Sequence, residues 1–172
     1  SAKVASDSVI NFAYETVDES YIPTMKIPLA QGRNFSASNP SDAAKTILVN
    51  EAFVKKAGWK NPIGETVNFY YRDNEIYQVI GVVKDYHYAA LNQKIGPQMF
   101  TMKTSNGYGI LNIKIKPGTE TASLKFIQEK FREFFPLSPY SYIFKDEQRI
   151  KDYESEAKWK QIILFGAILT IF

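Results

Sequence analysis

Residues 162–172 carry no charged or polar side chain other than Thr170, directly after a stretch, 147–160, dense in charges of both signs. A bilayer-spanning helix needs about 20 mainly apolar residues at about 1.5 Å each, so this run reaches about halfway across a membrane. Two folds accommodate it: a C-terminal core helix, or the first part of a membrane helix. Apolar runs of about 10 to 14 residues are usually core. Ser1 in place of a starting Met fits the other reading, a soluble segment taken from a larger membrane protein. The run alone leaves the two level.

Composition narrows the classes. At 172 residues the chain can form one domain or two small ones and bury an ordinary core. Its 21 basic and 18 acidic residues are spread along the whole length, so no electrostatic footprint for nucleic acid is present. Cysteine is absent, which excludes disulfides and thiolate metal sites and leaves the redox compartment open. Aromatic residues make up 15%, more in keeping with strands or a contact surface than with a helical bundle.

Along the chain, residues 9–17 read as a strand with Ile10, Phe12, Tyr14 and Thr16 on one face. Asp18 is placed to cap a short helical turn over 21–25, with Pro23 in its first turn. Gly32-Arg33 and the polar stretch 36–44 read as a turn and an exposed loop, a first domain boundary. Ile47-Leu48-Val49 is a short buried strand, Asn50 a helix cap, and 51–57 a helix stopped by Gly58. Asn61-Pro62-Ile63-Gly64 forces a turn, and the β-rich runs 66–71 and 76–84 flank Arg72-Asp73-Asn74-Glu75 as a hairpin. Residues 97–102 are a further strand.

The third section predicts strand, helix, strand. Leu111, Ile113 and Ile115 alternate with Asn112, Lys114 and Lys116 up to Pro117-Gly118. Thr119 or Thr121 caps a helix with the stripe Leu124, Ile127, Phe131 and Phe134, ended by Pro136 and Pro139. Tyr140, Tyr142 and Phe144 then alternate as a strand. From Asp146 a helix with Ile150, Tyr153 and Ala157 on one side runs without a breaker, apart from Gly166, into the apolar tail. A solvated helix that becomes lipid-compatible along its length is a stem. Lys158 and Lys160 beside the tail hint, by the positive-inside tendency, at a cytoplasmic flank, but two lysines do not settle topology.

Little in the chain points to catalysis. His87 is the only histidine, so multi-imidazole metal sites are excluded within it. Asp85 and His87 share a strand end but a triad would need a nucleophile brought from elsewhere, and a packing or loop role is the better reading. Gly107-Tyr108-Gly109 lacks the third glycine and helix of a phosphate cradle. Asp73, Glu75, Asp146 and Glu147 fall in turns and helix faces, where solvation rather than a perturbed acid–base pair is expected. No catalytic, cofactor-binding or metal-ligating residue is assigned, and the chain is expected not to be an enzyme.

The ordered motifs from Asp18 onward resemble the extracytoplasmic domain of MacB/FtsX-type ABC transporter permeases, in the long form common among Bacteroidetes. They are Asp18, Tyr21 and Thr24 before Ile27-Pro28-Leu29; Gly32-Arg33-Asn34-Phe35; Ile47-Leu48-Val49-Asn50-Glu51; Gly58-Trp59-Lys60-Asn61-Pro62-Ile63-Gly64-Glu65; Tyr77-Gln78-Val79-Ile80-Gly81-Val82-Val83-Lys84-Asp85-Tyr86-His87; and Phe144, Asp146, Tyr153 and Glu156 before the hydrophobic segment. The resemblance implies an α+β, two-part domain: a porter-like β-α-β subdomain from 1–39 and 107–146, a smaller inserted mixed α/β subdomain over 40–106, and a stem helix leading into a truncated transmembrane segment over 147–172. It further implies a non-catalytic periplasmic domain of an inner-membrane permease that transmits motion from a cytoplasmic ABC ATPase to the exterior. Its partners would be that ATPase, a second permease copy or paralogue, and optionally a periplasmic adaptor, with no cofactor. A ligand-sensing domain of a membrane receptor is the alternative from another class, since such domains also feed a stem helix into a membrane.

Overall fold

The computed structural model describes residues 2–4, 9–69, 75–86, 94–102 and 109–145. In chain order the elements are β1 (Ala2–Val4), β2 (Val9–Ile10), β3 (Ala13–Thr16), α1 (Tyr21–Thr24), β4 (Leu29–Gly32), α2 (Pro40–Lys45), β5 (Thr46–Asn50), α3 (Glu51–Ala57), β6 (Thr66–Phe69), β7 (Glu75–Val83), β8 (Gln98–Thr101) and α4 (Glu120–Phe134). The strands form one mixed sheet in the order β2-β1-β6-β7-β5-β8-β3, with β4 on β7. The pairs β5–β7 and β3–β8 are parallel and the other pairs antiparallel, so the chain is a mixed α/β fold.

β5 shows why the sheet forms where it does. All five of its residues are buried between β7 and β8, the placement a continuous apolar run requires. Its two-residue period divides the core. Ile47 and Val49 pack with Phe53, Val67, Tyr77, Val79 and Met99 on one side; Leu48 packs with Tyr21, Ile22, Phe35 and Phe100 on the other. α3 therefore covers one face and α1 the other, each buried apolar side chain contributing about 1.5 to 3 kcal/mol. β7 keeps both faces filled by a bulge: β5 pairs Ile47 with Val79 and Leu48 with Gly81, skipping Ile80. That extra residue sets Val79 and Val82 against the same core.

Several sequence expectations stand in this unit. Asn50 caps α3 by accepting from the Phe53 amide, and Gly58 ends the helix at φ +71°, where a side chain would be strained. β6 and β7 pair antiparallel as the expected hairpin. Asp18 supports the entry to α1, its Oδ1 accepting from the Ser20 amide at 3.0 Å.

Others are corrected. The expected single strand over 9–17 is interrupted at Asn11-Phe12, because β2 pairs with β1 whereas β3 pairs with β8, and one straight strand cannot serve both. The expected exposed loop over 36–44 contains α2, with Pro40 in its first turn and Asp42 wholly buried. In the third section α4 forms as predicted, but 110–116 and 139–144 join no ladder among the described residues. Alternation yields a strand only where an edge and a face are on offer, and Leu111 is 79% exposed. Strands from before residue 40 hydrogen-bond to β6, β7 and β8. By compactness the chain splits into two units, the first running to residue 114 and the second from residue 115. The expected stem and membrane segment, 147–172, lies outside the described residues. Among those described, no helix is long and apolar enough to cross a membrane.

Candidate functional site

The first compact unit concentrates its polar chemistry where strands end, and there it braces the fold. Gly32 and Gly81 face each other across β4 and β7. A Cβ on Gly81 would sit 2.3 Å from the Arg33 carbonyl oxygen, and one on Gly32 would sit 2.2 Å from that of Ile80. Only glycine lets the two backbones approach so closely.

The next residue carries a bidentate ion pair. The Arg33 guanidinium donates to both carboxylate oxygens of Asp42, Nη1 to Oδ2 at 2.5 Å and Nη2 to Oδ1 at 2.8 Å. The Ser36 amide adds a third bond to Oδ2 at 3.0 Å. These donors explain why a buried carboxylate can stay ionised. The Arg33 hydrogen bonds hold the Asp42 carboxyl below its usual range, against the opposing effect of burial, and Asp42 in turn raises Arg33. Asn34 Nδ2 donates to the Glu19 carbonyl at 2.8 Å, and the Ala37 amide donates to the Glu19 carboxylate. Segment 33–37 is thereby tied to α2 on one side and to the α1 entry on the other.

A second brace surrounds α3. Asn50 Oδ1 accepts from the amides of Phe53 at 3.0 Å and Gln98 at 2.8 Å, while Nδ2 donates to the Gly96 carbonyl at 2.9 Å. One buried side chain joins the end of β5, the start of α3 and the entry to β8. Glu51 and Asp85 complete the brace reciprocally: Glu51 Oε2 accepts from the Asp85 amide at 3.2 Å, and Asp85 Oδ1 accepts from the Ala52 amide at 2.9 Å. Asp85 thus holds the helix start; His87 lies outside the described residues. Glu75 accepts from the Tyr77 hydroxyl at 2.7 Å, whereas Asp73, Asp146 and Glu147 lie outside the described residues. No cluster of acidic and imidazole groups suited to a metal ion occurs among the described residues.

On the other face, Tyr21 donates to Glu15 Oε2 at 3.1 Å and its ring lies against Phe100. Burial drives the Tyr21 phenol far above its ordinary range, with Tyr86 and Glu15 adding to the shift.

The second unit presents surface rather than braces. α4 has no buried residue, and Phe134, Phe135, Leu137 and Ile143 are exposed. The Phe131 ring of α4 lies 5.4 Å from that of Tyr140 between ring centres. Sequence reasoning singled out Asn50 as a cap and Asp85 only as the neighbour of His87 at a strand end. It missed Asp42, whose position inside a polar stretch gives no local signal of burial.

The family model for the MacB-like periplasmic core domain matches residues 2–127. Among solved structures, the chain is similar to the periplasmic region of MacB from Actinobacillus actinomycetemcomitans, at 20% identity over 78% of this chain and 63% of that one, TM-score 0.56. A domain of a putative permease protein from Porphyromonas gingivalis matches at 16% identity over 87% of this chain and 76% of that one, TM-score 0.56. The extracellular domain of the noncanonic ABC-type transporter YknZ from Gram-positive bacteria matches at 12% identity over 76% and 71%, TM-score 0.50. At such identities the likeness is one of fold. The chain spans 63% of the first structure's length, less than two thirds. No curated protein matches it.

Proposed function

The chain belongs to the MacB-like periplasmic core domain family, and from that premise we propose that it is the non-catalytic periplasmic part of an inner-membrane ABC permease. In this reading it carries motion driven by a cytoplasmic ATPase to the exterior, for export or extraction of a substrate or for control of a periplasmic partner. The family match over residues 2–127 is the observation that carries it.

The geometry suits the role. A domain that transmits force must move as a body, and hydrogen-bonded braces that join successive elements resist deformation better than apolar packing alone. Asn50, the Arg33–Asp42 pair and the Glu51–Asp85 clasp each join segments distant in sequence. In the same proposal 1–39 and 107–146 are the porter-like part, 40–106 a smaller inserted part, and 147–172 supply the stem and the start of a membrane helix. A second permease copy or paralogue and the ATPase are the partners, and an adaptor is an optional third.

The test uses the intact protein with its ATPase in lipid nanodiscs. Replacing residues 9–145 by a short flexible linker should leave ATP hydrolysis measurable and abolish movement of cargo or control of the partner. Failure of any ATPase to co-purify with the intact protein, or absence of hydrophobic helices on both sides of the domain, would sink the proposal.

A further inference from the structure

Between β4 and β5 the chain leaves the sheet for residues 33–45, a segment in which the side chains of Phe35 and Asp42 are the buried ones. α2 within it packs against β5 and β7. Phe35 sits in the cluster of Leu48, Val83 and Phe100 and covers that face of the sheet. The segment joins no ladder among the described residues. At its start the Arg33 amide donates to the Ile80 carbonyl at 3.1 Å. Beyond that, side chains tie it down: Asn34 Nδ2 donates to the Glu19 carbonyl, the Ala37 amide donates to the Glu19 carboxylate, and Arg33 binds Asp42.

Three donors converge on the one Asp42 carboxylate, the two Arg33 Nη groups and the Ser36 amide. Arg33 and Ser36 open the segment and Asp42 lies near its end, so this carboxylate shuts the segment as a clasp. The Arg33 side chain is 48% exposed whereas that of Asp42 is wholly buried, so the cation can turn into water once its partner is neutral. Of the elements beside the clasp, β4 over 29–32, β5 over 46–50 and β7 over 78–83 carry no titratable side chain. Glu19, from the entry to α1, bonds at Ala37, and Lys45 of α2 itself is exposed. Arg33 binds the ionised carboxyl, which favours ionisation in the closed form. That support for closure is present above the ordinary 3.8 and is lost as pH falls through the lower folded value.

We propose that residues 33–45 form an acid-released strap: protonating Asp42 frees Arg33 and lets the segment lift from β5 and β7, uncovering Phe35 and the Leu48 face of β5 while the sheet stays folded. The inference rests on the geometry of this segment and not on the transporter reading, so either can fail alone.

The test is hydrogen–deuterium exchange of the 172-residue chain, read by mass spectrometry from about pH 7 to about pH 2.5, with each rate divided by its intrinsic value. Protection of 36–45 relative to 46–50 should fall by about tenfold or more across that range, the scale of charge-assisted hydrogen bonds lost. Asp42→Asn has no carboxyl to protonate, so its ratio should be low at neutral pH and independent of pH. Arg33→Gln should reverse the trend. Burial then outweighs the Ser36 bond, the protonated carboxyl suits the closed segment better, and the ratio should rise as pH falls. A wild-type ratio unchanged with pH overturns the strap, as does a loss of protection in 46–50 as large as that in 36–45. The wild-type trend persisting in either variant overturns it equally. Should a variant fail to fold, the wild-type ratio decides alone.

Discussion

Asn50 is fully buried, and its amide accepts two bonds at Oδ1 and donates one from Nδ2. Asn50→Ala would strand the Phe53 and Gln98 amides and the Gly96 carbonyl, a loss of about 3 kcal/mol once the cap and the buried groups are counted. Asn50→Asp keeps both accepted bonds and loses only the donated one, so its urea midpoint should fall between wild type and Asn50→Ala. A midpoint for Asn50→Ala equal to wild type would remove Asn50 from the brace. Asp42 makes a different prediction, on acid stability. Its folded pKa lies below the ordinary 3.8 because Arg33 binds the ionised form. The stability it contributes is therefore present above 3.8 and is lost as pH falls through the lower folded value. Wild type should exceed Asp42→Asn in denaturant stability at neutral pH, and the gap should narrow below about pH 4; a gap constant with pH would refute the linkage. Asn50 was legible in the sequence as a cap because capping is a matter of local spacing. Asp42 was not, because its burial depends on Arg33, which reaches it only once β4 and α2 are folded together.

The elements differ in what a change to them costs. In the β4–β7 crossing, Gly81→Ala would place a methyl 2.3 Å from the Arg33 carbonyl and 2.7 Å from Leu48 Cδ2. One neighbour is backbone, so the strands must part, at a cost of about 3 kcal/mol or more. Thermal unfolding of Gly81→Ala within 2 °C of wild type would show that the crossing is looser than its geometry implies. Helices can be compared by a matched pair. Phe53 on α3 is fully buried between Phe12 and Trp59, whereas Phe131 on α4 is half-buried. Phe53→Ala should cost about 3 to 5 kcal/mol and Phe131→Ala distinctly less, by urea titration. Equal losses would mean that α4 is packed far more tightly than its exposure indicates. The hairpin β6–β7 and helix α3 could be read from sequence because turn residues and caps mark them locally. The alternation at 110–116 and 140–144 could not be converted into strands, since periodicity states which side chains share a face and leaves the partner edge unspecified.

At the scale of the molecule, the two compact units differ in kind. The first holds β5, β7 and β8 around two apolar clusters, with every residue of β5 and β8 buried. The second is built on α4, none of whose residues is buried. Amides open with a free energy set by the contacts that opening breaks, so protection should follow that contrast. Native-state hydrogen exchange should find the amides of β5 and the paired part of β7 protected close to the global stability, and those of α4 exchanging at least about a hundredfold faster, a gap of about 3 kcal/mol. Equal protection in the two units would show that they unfold as one. The two-part resemblance drawn from the motifs implies a boundary near residue 40, and strands from either side of that position pair in one sheet.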